Sequence, residues 1–163
     1  MIIAVSSKEK DKTTIKELEA RGHTCIIMDT LTADYQVYGK AGGLRVEKKA
    51  DISELLKSMA GNVRYNAKKE CWRAHSDGTP LWYVIGEDRT KSGVKLNEIE
   101  DVLYIKRSDI RSENQREDIQ AAYEMMKMMK DKYDVVFAFV DPKDMTNMVE
   151  TLLEYQPGTI YDT

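Results

Sequence analysis

Two acids and a lysine, Asp34, Glu47 and Lys49, lie in short runs that read as the two strands of a hairpin. Residues 35–38 (YQVY) alternate, residues 39–43 (GKAGG) turn, and residues 44–49 (LRVEKK) resume with Leu44 and Val46 on one face. Asp34 stands at the start of the first strand and Glu47-Lys48-Lys49 at the end of the second, so pairing brings both acids to one end. Two carboxylates converging on one point suit Mg²⁺, a hard ion that takes oxygen ligands, keeps several waters and is completed by substrate phosphate. Lys49 follows Glu47 by two residues and therefore shares its face of the strand. A cation there can orient a hydroxide nucleophile and meet charge developing on a pentacovalent phosphate. The competing reading of Glu47 and Lys49 is the solvated face of an edge strand.

The elements that must carry this hairpin are legible around it. Residues 1–5 (MIIAV) and 24–28 (TCIIM) are apolar runs of strand length, and residues 13–21 (TTIKELEAR) place Ile15 and Leu18 on one helical face before Gly22. Asp51, with Glu54 three residues on, begins a helix through a capping box. A second helix is expected over 62–74, a strand over 81–85 (LWYVI), a loop over 86–95, a short strand over 102–105, a helix over 117–133, a strand over 135–140 (VVFAFV) and a closing helix over 144–155. Met125, Met128 and Met129 recur at helical spacing and are expected to pack against the sheet.

The composition excludes several classes. The chain has 163 residues, 42% hydrophobic and 33% charged, with no repeat or linker, which suits one folded domain over 1–163. A net charge of −3 argues against coating nucleic acid or an anionic membrane through bulk charge. The charge is uneven, however. Between residues 44 and 73 the bases Arg45, Lys48, Lys49, Lys57, Arg64, Lys68, Lys69 and Arg73 outnumber the acids, whereas acids prevail from Glu98 onward. Arg64, Lys68, Lys69 and Arg73 share one helix, as a solvated face or as a contact for phosphates. Cys25 and Cys71 form no disulfide framework or zinc pattern, which fits a reducing cytoplasmic setting, and no apolar run has the ~20 residues that cross a bilayer.

The pattern D-x12-E-x-K resembles the PD-(D/E)XK nuclease superfamily, in which an acid on one strand and an E-x-K on the next form a metal site. The surrounding sequence resembles the nuclease domain of the XPF family of structure-specific endonucleases, which reads G-D-Y, then V-E-R-K, then D-L-x-x-S-[IM]. The matching residues are Ala33-Asp34-Tyr35, Val46-Glu47-Lys48-Lys49 and Glu54-Leu55-Leu56-Lys57-Ser58-Met59. Asn62-Val63-Arg64-Tyr65 falls at the family's glycine-arginine-aromatic element, and the apolar run 81–85 falls on the strand that follows. The resemblance covers roughly residues 1–90. The family opens with V-D-x-R-E, whereas Val5-Ser6-Ser7-Lys8-Glu9 has Ser6 at the acid and keeps Glu9.

The resemblance implies an α/β, restriction-endonuclease-like fold with a mixed central sheet flanked by helices. It further implies an endonuclease that needs Mg²⁺, with Mn²⁺ as a substitute, and cuts branched or flapped DNA. Asp34 and Glu47 would hold the metal together with the backbone carbonyl of Lys48. Lys49 would assist the attacking water, with Glu9 as a further member of the catalytic set. DNA contacts would fall to Arg45, Arg64, Lys68, Lys69 and Arg73. The family's usual helix-hairpin-helix module is not seen in these residues, so a homodimer or a protein partner is expected. Ser6 supports the alternative, a nuclease-like module of phage or mobile-element origin that binds DNA or a protein without cutting.

Overall fold

β-branched and aliphatic residues without charge give the chain its first strand, β1 (Ile2–Ser6), and the sheet grows from it. The computed structural model describes residues 1–9, 11–29, 31, 33–40, 43–61 and 64–155; of the expected elements, Ala41 and Gly42 of the hairpin turn and Asn62-Val63 lie outside these. After β1 come α1 (Thr13–Ala20), β2 (Thr24–Met28), β3 (Tyr35–Val37), β4 (Arg45–Lys49), α2 (Ile52–Ala60), α3 (Arg64–Ser76), β5 (Leu81–Ile85), α4 (Ile119–Tyr133), β6 (Val136–Phe139) and α5 (Met145–Glu154). The strands form one mixed sheet in the order β2-β1-β3-β4-β5-β6. β1 pairs in parallel with β2 and antiparallel with β3, β3 pairs antiparallel with β4, and β4, β5 and β6 run parallel.

Helices cover both faces. Ile3, Val5, Tyr35, Val46 and Val84 pack with Ile15 and Leu18 of α1 and with Val149 and Leu153 of α5. On the other face Leu81, Tyr83, Ile85 and Phe137 pack with α2, α3 and α4. Leu55, Leu56 and Met59 of α2 are almost wholly buried, each contributing ~1.5–3 kcal/mol of transfer free energy. Met125 and Met129 fill the α4 side of the same core as their spacing requires, whereas Met128 is only partly buried and Met126, outside the expected set, is wholly buried. Asp51 caps α2 by accepting from the Glu54 amide at 3.0 Å, and Glu54 reaches back to the Ala50 amide at 3.3 Å. Gly22, at φ +92°, supplies the left-handed turn that ends α1.

One expected element is replaced. Residues 102–105 do not form a strand; residues Ile99–Tyr104 form a 3₁₀ helix. Asp101 accepts from the amides of Asn97 and Glu98 at 2.8 and 2.9 Å, and Ile99 and Val102 are buried three residues apart, the 3₁₀ period. The segment belongs to a long irregular connection from β5 to α4, which also supplies one wall of the cleft described below. Among the described residues, no helix is long and apolar enough to cross a membrane.

Candidate active site

β4 crosses the middle of the sheet, and its alternation sends successive charged side chains to opposite faces. Glu47 lies on the face of Tyr83 and α3, and Lys48 on the face of α1. Because β4 is paired on both sides, the edge-strand reading of Glu47 and Lys49 does not hold. The two faces meet at an open cleft of about 750 Å³, lined by the ends of β1 and β4, the first residues after them, and α3.

Three carboxyls gather on the Glu47 side. Asp34 precedes β3, whose Tyr35 pairs with Val46, and this register sets Asp34 beside Glu47. Glu70, on the inner face of α3, approaches Glu47 from the other side and accepts the Tyr83 hydroxyl at 2.7 Å. Asp34 also accepts the Lys48 amide at 2.8 Å, which fixes its orientation against the backbone of β4. Burial, and then the Glu47 charge, push the Asp34 carboxyl up to about 10. Glu47 is raised well above the ordinary range by burial and by Glu70, and burial also raises Glu70. Like charges this close cannot all ionise. Lys49 acts in the opposite sense, its ammonium favouring the charged forms of Glu47 and Glu70.

A separate ion pair occupies the α1 face. The Lys48 ammonium lies 3.0 Å from Glu9 and 3.4 Å from Asp11, and Glu9 also accepts the Tyr35 hydroxyl at 2.7 Å. Glu9 and Lys48 are both buried. Burial and the Glu9 charge hold the Tyr35 phenol protonated.

No protein-family model matches the chain, and no curated protein matches it. Among solved structures it is similar to XPF from Aeropyrum pernix in complex with DNA, at 16% identity and a TM-score of 0.61, over 94% of this chain and 63% of that one. It is likewise similar to XPF from Aeropyrum pernix, at 16% identity and a TM-score of 0.63, over 99% of this chain and 68% of that one. The chain has an XPF-like nuclease fold.

Within this XPF-like fold the sequence-derived candidates separate into three groups. Asp34, Glu47 and Lys49 come together in the cleft, where Ser6, buried and accepting the Lys8 amide at 3.2 Å, lines the same wall. Glu9, expected among the catalytic groups, also lines the cleft, where its carboxylate pairs with the Lys48 ammonium. Lys48 enters the site through its backbone amide, which holds Asp34. Arg64, Lys68, Lys69 and Arg73 are exposed on α3, and Lys69 and Arg73 line the cleft. Arg45 departs from its expected place on the DNA surface: it is 9% exposed and bonds Asp77 at 2.7 Å, because its position two residues before Glu47 turns it into the helix-covered face.

Glu70 and Tyr83 were missed. In the sequence Glu70 is one acid in a basic helix, and its only signal is its place one turn after Ala67 and one before Ala74, on the inward stripe. The residues present fit a hard dication: an all-oxygen donor set in which burial and mutual repulsion favour the neutral forms, a repulsion that a bound cation would offset. Among the described residues, the three ligand atoms that all lie within 4.8 Å of one another belong to another group, His23, Glu150 and Glu154. There Glu150 already pairs with Arg21 at 2.9 Å and lies 2.5 Å from His23 Nε2, so its oxygens have protein partners.

Proposed function

We propose that the chain is a metal-dependent endonuclease that hydrolyses phosphodiester bonds in DNA, with branched or flapped DNA as its substrate. The observation that carries the reading is the convergence of Asp34, Glu47 and Glu70 beside Lys49 in an open cleft. Such an arrangement has no stabilising use by itself, since buried carboxyls of one sign cost free energy. Asp34 and Glu47 would hold Mg²⁺, which when bound lowers the pKa of a water and polarises the phosphoryl oxygen.

The protein's own groups prepare the reaction. The Lys48 amide fixes Asp34, and the Tyr83 hydroxyl holds one oxygen of Glu70. Lys49, on the face of Glu47, orients the attacking water and meets the negative charge that builds on phosphorus. Lys69 and Arg73 on the cleft wall receive the flanking phosphates. The test is nicking of flap and fork DNA in Mg²⁺ and in Mn²⁺, with thermal melting in parallel. Glu47→Gln and Lys49→Ala should each lower the rate by about 100-fold or more and leave a folded protein. Cleavage by Glu47→Gln at the wild-type rate would remove the reading.

A further inference from the structure

The outer face of α3 carries two large aromatics that the core does not use. Tyr65 and Trp72 are each 58% exposed. Seven residues apart on a helix, they fall about 20° from one another around the axis and about 10.5 Å apart along it. Lys69 places its ammonium 5.7 Å from the Tyr65 ring centroid, and Lys68 lies one turn before Trp72 on the same side. Lys69 also lines the cleft together with Arg73, so the aromatic stripe continues the wall on which Glu70 stands.

A single exposed aromatic needs no explanation. Two on one stripe, with lysines between them and a run of cations leading into a cleft of carboxyls, match a binder of single strands. Such binders combine a positive track for the backbone with rings on which successive bases stack. A separation of about 10.5 Å corresponds to roughly three nucleotide steps of a stacked strand at about 3.4 Å each. We propose that Tyr65 and Trp72 form a stacking platform for an unpaired DNA strand that leads into the cleft. The identity of the polymer rests on the nuclease reading above; the platform itself rests on α3. Duplex DNA offers no base faces to such a ring pair, whereas a flap or fork arm does.

The test is carried out in EDTA on the full chain, so that binding is read without cleavage. Fluorescence anisotropy of a labelled thymidine oligonucleotide is compared with that of a hairpin duplex for wild type, Tyr65→Ala, Trp72→Ala and Trp72→Phe. Both alanine variants should bind the single strand about 5- to 100-fold more weakly, with duplex affinity changed by less than about twofold and Trp72→Phe close to wild type. Both positions are exposed, and circular dichroism confirms the fold. Unchanged single-strand affinity in Trp72→Ala, or equal losses on single strand and duplex, would overturn the platform. So would an effect of Trp72→Ala confined to self-association in sedimentation, which would make the stripe a protein contact. A wild type that holds the single strand through Trp72 but never cleaves in Mg²⁺ or Mn²⁺ keeps the platform and removes the nuclease reading. Cleavage that depends on Glu47 but is indifferent to Trp72, with wild-type single-strand affinity in Trp72→Ala, does the reverse.

Discussion

Glu70 is the residue at which a functional and a structural reading of the carboxyl cluster predict different outcomes. Its carboxyl lies between Tyr83, which donates to it at 2.7 Å, and Glu47, whose ionisation it opposes. Glu70→Gln keeps the shape and an acceptor for Tyr83 while removing one of the crowded acids. The metal-free protein should therefore melt at a higher temperature than wild type. Cleavage and Mg²⁺ affinity should fall by about 10- to 100-fold, the cost seen when groups around a metal ligand are changed. Melting in EDTA and a Mg²⁺ titration of nicking read both halves. A variant that is destabilised and fully active would show that Glu70 serves packing alone.

At the scale of the element, β4 joins two sites through its pleat. Glu47 joins the carboxyl cluster, while Lys48, one residue on, closes a buried ion pair with Glu9 that also anchors Tyr35 of β3. Lys48→Met would strand Glu9 without its cation and should cost ~3–5 kcal/mol, measured by urea denaturation. Adding Glu9→Gln should restore most of that loss, because burying two apolar or neutral groups in place of a pair is nearly neutral. If the double variant is no more stable than Lys48→Met, the ion pair is not what holds the loop after β1 to the sheet. Gly86 matters at the end of the same element. A Cβ there would meet the Ala50 carbonyl at 2.7 Å, so only glycine lets β5 close against the residues that follow Lys49.

For the whole molecule the carboxyl cluster sets a pH dependence. Asp34 is held near 10 against an ordinary 3.8, and Glu47 and Glu70 are raised in the same direction. The folded chain thus keeps protons that the unfolded chain releases as pH rises through this window, so stability is greatest on the acid side and is lost toward the upper value. Melting temperature in EDTA should fall between about pH 6 and about pH 9, Asp34→Asn should flatten the fall, and Mg²⁺ should raise the melting temperature most at the alkaline end. Glu150 and Asp11 are lowered instead, by hydrogen bonds from His23 and from Thr13, and lose their contribution only under acid conditions. A melting temperature that rises steadily across the alkaline range in EDTA would contradict the burial of the cluster.

Much of this was legible in the chain before it folded. Apolar runs of strand length marked β1, β2, β5 and β6, alternation marked the β3–β4 hairpin, period-3.6 patterns and a capping box marked the helices, and the Asp34, Glu47 and Lys49 spacing pointed to the cleft, because a hairpin's register and the strand pleat are local geometry. Residues 102–105 misled because a short apolar run is compatible with several periods, and the Asp101 cap decided for 3₁₀ over Ile99–Tyr104. Glu70, Tyr83 and the fate of Arg45 needed the tertiary structure. Each depends on which face of the sheet a helix covers: α3 packs over β5 and swings Glu70 inward, and the same face encloses Arg45. The partners that Glu47 and Lys48 meet on opposite faces of β4 were likewise decided there. Alternation says that neighbours part, but only packing against α1 and the Glu9 loop says what lies on the other side.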